Sequence, residues 1–288
     1  MPPLIALDIG GTKTLVANAS RTGRLLDQRR FATPIDPDAG VAALAEAIDA
    51  LLAGAPPQGI GISIGGPMRH GAATVSPLHQ PEWKGLALNA ILAERYGCPV
   101  GIEVDTDAGA LGEYHLGGAR ASRLLYLTIS TGMGGGFLVD GEIYRGADGM
   151  HPEMGHHGVS VATAHPERVR CACGAPDCLE ALVSGRGIER LYGRPAAALD
   201  GEQWAEVGVH LGRGLRNLST ILAPDAVVLA GGVALGGGAA LLEAAQAEMR
   251  IGLRLVPEPR LRLSTLGEQS ALLGAVVLAM RAAGAEMP

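Results

Sequence analysis

Three glycine-rich segments, one run of carboxylates and one cysteine cluster carry the chemistry this sequence offers. In Asp8-Ile9-Gly10-Gly11-Thr12-Lys13 a carboxylate precedes two glycines, a hydroxyl and an amine. The glycines bare backbone N–H groups to an oxyanion, the amine adds positive charge, and the carboxylate suits a phosphate-bound cation. A plain hairpin turn asks only for the two glycines, so Asp8, Thr12 and Lys13 are what point to metal-bound phosphate. Ser130-Thr131-Gly132-Met133-Gly134-Gly135-Gly136 reads as a second phosphate turn, with the Thr131 hydroxyl and the unhindered amides near Gly132 and Gly134 as its grip. Gly231-Gly232 follows the apolar run 226–230 and leaves the backbone bare enough for a base or ribose to approach. No segment has the Walker pattern, and no G-x-G-x-x-G joins a first strand to a helix, which argues against P-loop and dinucleotide-binding folds.

Glu103-Val104-Asp105-Thr106-Asp107 stands where a strand gives way to a helix, so its carboxylates either cap that helix or project into a site. Cys171, Cys173 and Cys178 crowd into eight positions. With one histidine they make a thiolate-rich set of the kind that closes a tetrahedral structural zinc site. His151, His156 and His157 all stand near enough in sequence to be the fourth ligand. The remaining thiol, Cys98, reads as an inert buried residue.

The elements that must position these groups follow from periodicity. Residues 4–20 read as strand, glycine turn, strand, and residues 124–144 repeat that plan, which suggests two related lobes. Strands at 59–63 and 100–104 alternate with helical patterns at 39–52, 86–96 and 107–116, the signature of an α/β sheet. Residues 145–178 hold no period and are too long for an ordinary connector. Helices are then expected at 179–192, 204–222, 239–250 and 270–283, with a buried strand at 226–230. The net charge of −6 and the lack of a basic run argue against nucleic acid. No leader-like start and no apolar run of membrane-spanning length are seen, so the expectation is a cytoplasmic protein with no membrane partner.

Together these motifs resemble the ROK family (repressor, open reading frame, kinase) along nearly the whole chain. The resemblance implies a two-lobed, actin-like or hexokinase-like α/β ATPase fold with its active site in an inter-lobe cleft. It places a small lobe at residues 1–106, with a C-terminal helix near 270–288 packing back on it, and a larger lobe at 107–269 carrying the zinc loop. It matches Asp8, Gly10, Gly11, Thr12 and Lys13 to the first phosphate motif, Thr131, Gly132 and Gly134 to the second, and Gly231 and Gly232 to the adenosine segment. HPEMGH matches the family's sugar and zinc motif, so Glu153, His156 and Glu180 are implied sugar contacts, and His156, Cys171, Cys173 and Cys178 the zinc ligands. Without gaps, the family's catalytic motif sets the base at Asp105, puts Val104 where an asparagine usually meets the sugar, and drops Asp107 on the motif's second asparagine; an alignment slipped by two positions would make Asp107 the base instead. The implied activity is ATP-dependent phosphorylation of a hexose at its 6-hydroxyl, the sugar being glucose, fructose or an N-acetylhexosamine. Mg²⁺ would accompany ATP, a structural Zn²⁺ would order the loop, and the chain would form a homodimer or homotetramer. The alternative is a sugar-sensing regulator of the same fold. The family's repressors carry an added helix-turn-helix that this chain does not show.

Overall fold

The computed structural model describes residues 2–287. Ten strands and eight α-helices follow one another among them. In chain order these are β1 (Leu4–Ile9), β2 (Lys13–Ala19), β3 (Leu25–Ala32), α1 (Pro37–Leu52), β4 (Gly59–Ile64), α2 (Leu88–Tyr96), β5 (Val100–Val104) and α3 (Asp105–His115). Then come β6 (Arg123–Ile129), β7 (Met133–Val139), β8 (Glu142–Ile143), α4 (Glu180–Val183), α5 (Gly185–Tyr192) and α6 (Gly201–Leu222). The chain closes with β9 (Ala226–Ala230), α7 (Gly232–Gly252), β10 (Arg260–Leu263) and α8 (Ser270–Ala282). They form two compact units: residues 1–118, 143–151 and 269–288, and residues 119–142 and 152–268. The predicted boundary at 106/107 falls inside α3, which belongs whole to the first unit.

The first unit holds a sheet of order β3-β2-β1-β4-β5. β2 pairs antiparallel with β1, whereas β1, β4 and β5 run parallel and share one register. β1 and β4 are apolar almost throughout, as strands covered on both faces must be. Asp36 caps α1 by accepting from the Ala39 N–H, Pro37 opens its first turn, and Leu44, Ile48 and Leu51 recur at helical spacing to meet the core. α8 is buried along nearly its whole length, which its unbroken apolar run requires.

The second sheet has the order β10-β9-β6-β7-β8, which read from β8 repeats the first strand for strand. The echo seen in sequence is therefore a repeated topology. Its core gathers Leu127, Ile129, Leu182, Leu211, Leu215 and Val227 with neighbours from α4 to α7. Among the described residues no helix is long and apolar enough to cross a membrane.

Several details depart from the sequence expectations. β3 and β10 had no signal, because β3 reads LLDQRRFA with a mostly exposed face and β10 spans four residues. The helix expected at 179–192 is broken at Ser184, whose hydroxyl caps α5 by accepting from the Gly187 N–H. α7 begins at Gly232 instead of 239 and kinks at Gly238, which sits at φ 52°.

Glycine sets how closely α8 can approach its neighbours. A Cβ on Gly274 would lie 1.7 Å from the Ala108 carbonyl oxygen of α3, and one on Gly61 of β4 would lie 1.8 Å from the Ala275 carbonyl oxygen. Neither obstacle is a movable side chain. Gly274→Ala is therefore expected to destabilise the protein by about 1–3 kcal/mol or more through overpacking. Urea denaturation checks this, and an unchanged midpoint would show that the helix pair relaxes freely.

Candidate active site and metal cluster

Parallel pairing lines up the C-terminal ends of three strands in the first unit. Asp8 of β1 is opposite Ser63 of β4, and Ser63 is opposite Glu103 of β5, so all three side chains share one face. The Ser63 hydroxyl donates to Asp8 Oδ1 at 2.9 Å. Lost hydration raises the Asp8 carboxyl above its ordinary range, against the pull of the Ser63 hydroxyl and the Lys13 ammonium. The chain leaves β1 through Gly10 to Lys13, and the Gly10 N–H closes the turn on the Lys13 carbonyl at 3.0 Å. Gly11 and Thr12 are exposed at its tip. A Cβ on Gly11 would sit 2.8 Å from the His79 Cβ, so this position has no room for a side chain.

β5 passes directly into α3. The residue flanking the helix is Val104, whose side chain cannot cap it, so the carboxylates do not serve as an N-cap. Val104 is buried, packed beside Gly66. Asp105 remains open to solvent, and its Oδ1 accepts the Thr106 N–H at 2.8 Å. Surrounding protein still strips enough water from it that desolvation, with the Asp8 charge second, raises its carboxyl to about 6. An accessible carboxylate with that affinity for protons suits a general base near neutral pH.

Two neighbours of this row take partners for which there was no sequence expectation. Asp107 is buried and meets His151 Nδ1 at 2.9 Å, while His151 Nε2 lies 3.2 Å from the Thr106 hydroxyl. His151 is thus committed to α3 and not to the cysteines. Glu103 is held by the Arg145 guanidinium, with His70 Nδ1 at 3.4 Å. A buried Asp or Glu beside a site asks for such partners, but the sequence separations of about 40 residues give no local signal of which will come.

In the second unit the turn after β6 is shorter than predicted. Ser130, Thr131 and Gly132 make it, whereas Gly134 is already in β7, paired with Thr128. The Ser130 and Thr131 carbonyls accept from Gly185 and Arg186 at the start of α5, which fixes the turn. Gly231, at φ 88°, presses against the end of β6: a Cβ there would lie 2.3 Å from the Ile129 carbonyl oxygen. Only glycine fits, and it brings the start of α7 beside the Ser130 turn. Glu180 Oε2 accepts the Met133 N–H at 3.0 Å, tying α4 to the same turn.

His156, Cys171, Cys173 and Cys178 converge, their ligand atoms all within 4.8 Å of one another. His156 Nδ1 lies 3.4 Å from both Cys171 Sγ and Cys178 Sγ. Its Nε2 faces Glu180 at 3.9 Å and Glu153 at 4.0 Å. Tetrahedral zinc with Zn–S bonds of about 2.3 Å separates its sulfurs by roughly 3.8 Å, so a modest contraction would fit this donor set to a metal. His157 is turned away, with Nδ1 at 2.8 Å from the Met154 carbonyl. Both arms of the loop are held by protein as well: Asn217 donates to the Gly158 carbonyl and Arg213 to that of Ser160, while on the returning arm the Arg170 carbonyl accepts from Arg190 and Arg168 donates to the Leu191 carbonyl of α5.

The structure therefore groups Asp8, Gly10, Gly11, Thr12, Lys13, Val104 and Asp105 in the first unit. Thr131, Gly132, Gly134, Glu153, His156, Glu180, Gly231, Gly232 and the three clustered cysteines are in the second.

The ROK family model matches residues 4–282. An N-acetylgalactosamine kinase of Shewanella sp. is 31% identical, with 94% of this chain and 95% of that protein covered. The ROK hexokinase of Thermus thermophilus is 34% identical with a TM-score of 0.79, covering 97% of this chain and 98% of its own. A ROK family glucokinase of Streptomyces griseus, solved with glucose and AMPPNP, is 26% identical with a TM-score of 0.78, covering 97% and 99%.

The Asp107–His151 contact sets an expectation of its own. His151→Ala strands a buried carboxylate and is expected to cost about 3–5 kcal/mol. Asp107→Asn, which keeps a group able to bond the imidazole, is expected to cost much less. Paired denaturation curves read the difference, and equal losses would mean the charge has no part in it.

Proposed function

The chain belongs to the ROK family and is an ATP-dependent sugar kinase of the actin-like, hexokinase-like ATPase fold, and we propose that it phosphorylates a hexose at the 6-hydroxyl with Asp105 as general base. The observation that carries this reading is the placement of Asp105: accessible, raised to about 6, and close enough to feel the charge of Asp8 at the mouth of the glycine turn. Asp8 would meet the Mg²⁺ that accompanies ATP. Gly11, Thr12 and Lys13 would take the phosphates, with Thr131 and Gly132 as the second grip and Gly231 and Gly232 beside the adenosine.

Phosphoryl transfer asks the protein mostly for position and charge stabilisation. Asp105 accepts the hydroxyl proton as the sugar oxygen attacks the γ-phosphorus in line, and the bond to the β–γ bridging oxygen breaks, leaving ADP. Glu153 and Glu180 are the carboxylates proposed to hold sugar hydroxyls, with His156 between them in sequence and near both in space. Glu180 already spends one oxygen on the Met133 N–H, so its position is coupled to the second phosphate turn. Val104, packed beside Gly66, gives the sugar no hydrogen bond, and an apolar wall discriminates less between epimers than a polar one. The relatives' names span glucose, hexose and N-acetylgalactosamine, and the acceptor proposed here is of that class.

The metal proposed for the cluster is zinc, held by His156, Cys171, Cys173 and Cys178, since thiolate-rich sets select it over harder cations. Four protein ligands leave no open position, so when bound it supplies order and no bond-making chemistry. His156 would offer the metal Nδ1, the nitrogen on the side of the cysteines, while Nε2 faces Glu153 and Glu180.

ADP release measured across a hexose panel tests the reading. Asp105→Asn is expected to keep nucleotide and sugar binding while losing about 10²- to 10⁴-fold in turnover. A base must be unprotonated, so wild-type kcat/KM should be level above pH 6 and fall about tenfold per unit below it, following the carboxyl raised to about 6. A profile with no acid limb, or an Asp105→Asn enzyme of normal turnover, would remove Asp105 from this role.

Elemental analysis addresses the zinc. One equivalent per chain is expected, and Cys173→Ser should lose it and raise the hexose KM before the ATP KM, because Glu153 and Glu180 lose their fixed spacing. Since protein contacts also hold the loop arms, global stability should fall less than hexose affinity. Zinc-free wild type with ordinary hexose affinity would refute the assignment.

A further inference from the structure

The Gly10–Gly11 peptide is flanked by glycine on both sides, so sterics alone leave it free to rotate. Its orientation decides whether a carbonyl oxygen or an N–H faces the open side of the turn, and only the N–H can bind a phosphate. The structure holds this peptide with two side chains from distant segments. The Thr33 hydroxyl donates to the Gly10 carbonyl at 2.7 Å, and Gln80 Nε2 donates to the same oxygen. Thr33 gives its only proton to that carbonyl, so in the 2.9 Å contact between Thr14 Oγ1 and Thr33 Oγ1 it is Thr14 that donates. A directed chain thus runs from the buried Thr14 through Thr33 to Gly10, with Gln80 converging on the same acceptor.

We infer that Thr33 and Gln80 are positioning residues for the nucleotide phosphates, fixing the Gly10–Gly11 peptide so that the Gly11 N–H faces outward as an anion donor. The peptide is trans, since the only cis bond among the described residues is Gly66–Pro67, and a trans peptide points its N–H opposite to its C=O. With the carbonyl drawn inward by two donors, the Gly11 N–H turns to the exposed side, where it meets no protein acceptor among the described residues.

Gln80 is itself held firmly enough to do this. It is buried, its N–H donates to the Pro77 carbonyl, and three residues on Trp83 is buried against Gly40 of α1. The Trp83 indole N–H bonds the Pro34 carbonyl at 3.2 Å, so Trp83 also steadies the segment carrying Thr33. One aromatic anchor therefore places both donors. Losing either lets the peptide sample the flipped state, and phosphate affinity falls with the competent fraction.

This inference rests on the phosphate-binding reading of the turn, and binding measurements separate the two. The probes are Mg²⁺ with an ATP analogue whose γ-phosphate cannot transfer, and adenosine, which has no phosphate. In Gln80→Leu and Thr33→Val the analogue's Kd should rise about three- to tenfold, as expected for one lost hydrogen bond, while adenosine affinity and the hexose KM stay unchanged. Thr33→Ser, which restores the hydroxyl, should recover most of the loss seen in Thr33→Val. Equal weakening of analogue and adenosine, unchanged analogue affinity in a variant with wild-type melting temperature, or no recovery in Thr33→Ser would each overturn the inference. Thr33→Val is nearly isosteric, so it decides the matter if Gln80→Leu does not fold. A wild type that binds the analogue but phosphorylates no hexose refutes the proposed function alone and leaves this comparison standing, whereas one that binds no nucleotide overturns both.

Discussion

Everything proposed for the first unit depends on the common register of three parallel strands. Because Asp8, Ser63 and Glu103 are aligned across β1, β4 and β5, the chain leaves all three strands at one edge. Parallel pairing forces this: with evenly spaced ladders and one direction, the C-terminal ends of neighbouring strands gather on the same side. Gly10, Gly65 and Asp105 are the residues that follow the ends of these strands. A slip of one residue in β5 would turn Glu103 to the other face and separate Asp105 from Asp8.

The second unit solves the same problem with the same topology. β6 and β9 run parallel, and the residues that follow them, Ser130 and Gly231, come together because Gly231 has no side chain to hold Ile129 away. Here the turn is buttressed by α5 and by Glu180 instead of by threonine and glutamine side chains. The long segment after β8 is then pinned from two directions, by the polar side chains of α5 and α6 and by the convergence of His156 with three thiols. Burial raises the Cys171 and Cys178 thiols above their ordinary range, which favours neutral sulfurs until a cation arrives to take the thiolates.

The carboxylates show what the arrangement costs. Asp8 and Asp105 each lose hydration, and Asp8 raises Asp105 further by repulsion, so the pair resists being charged together. A divalent cation and a transferable proton are the natural relief for that repulsion. The adjacent carboxylates have direct partners, Glu103 in the Arg145 guanidinium and Asp107 in the His151 imidazole. Asp8 is instead drawn down by the Ser63 hydroxyl and the Lys13 charge, and Asp105 by the Thr106 N–H and His151, in both cases against the larger effect of lost hydration.

By itself the sequence determined what is local: the strand, turn, strand plan and its repeat, most helices, the two glycine turns and the cysteine spacing. Each follows from periodicity or from residue types a few positions apart. Through motif resemblance it also pointed to Asp105 over Asp107 and to His156 over His151 and His157. Only the tertiary structure decided which partners distant groups acquire. Asp107, the alternative base under a slipped alignment, lies against His151, which is 44 positions away in sequence. β3 was illegible because a mostly exposed edge strand has no apolar alternation to read, and Gly134 looked like turn because three glycines in a row mask a strand. Thr33 and Gln80 were invisible for the same physical reason as His151. A hydrogen bond depends on atoms being within about 3 Å, and sequence records chain order, which the sheet register converts into distance only once the fold has formed.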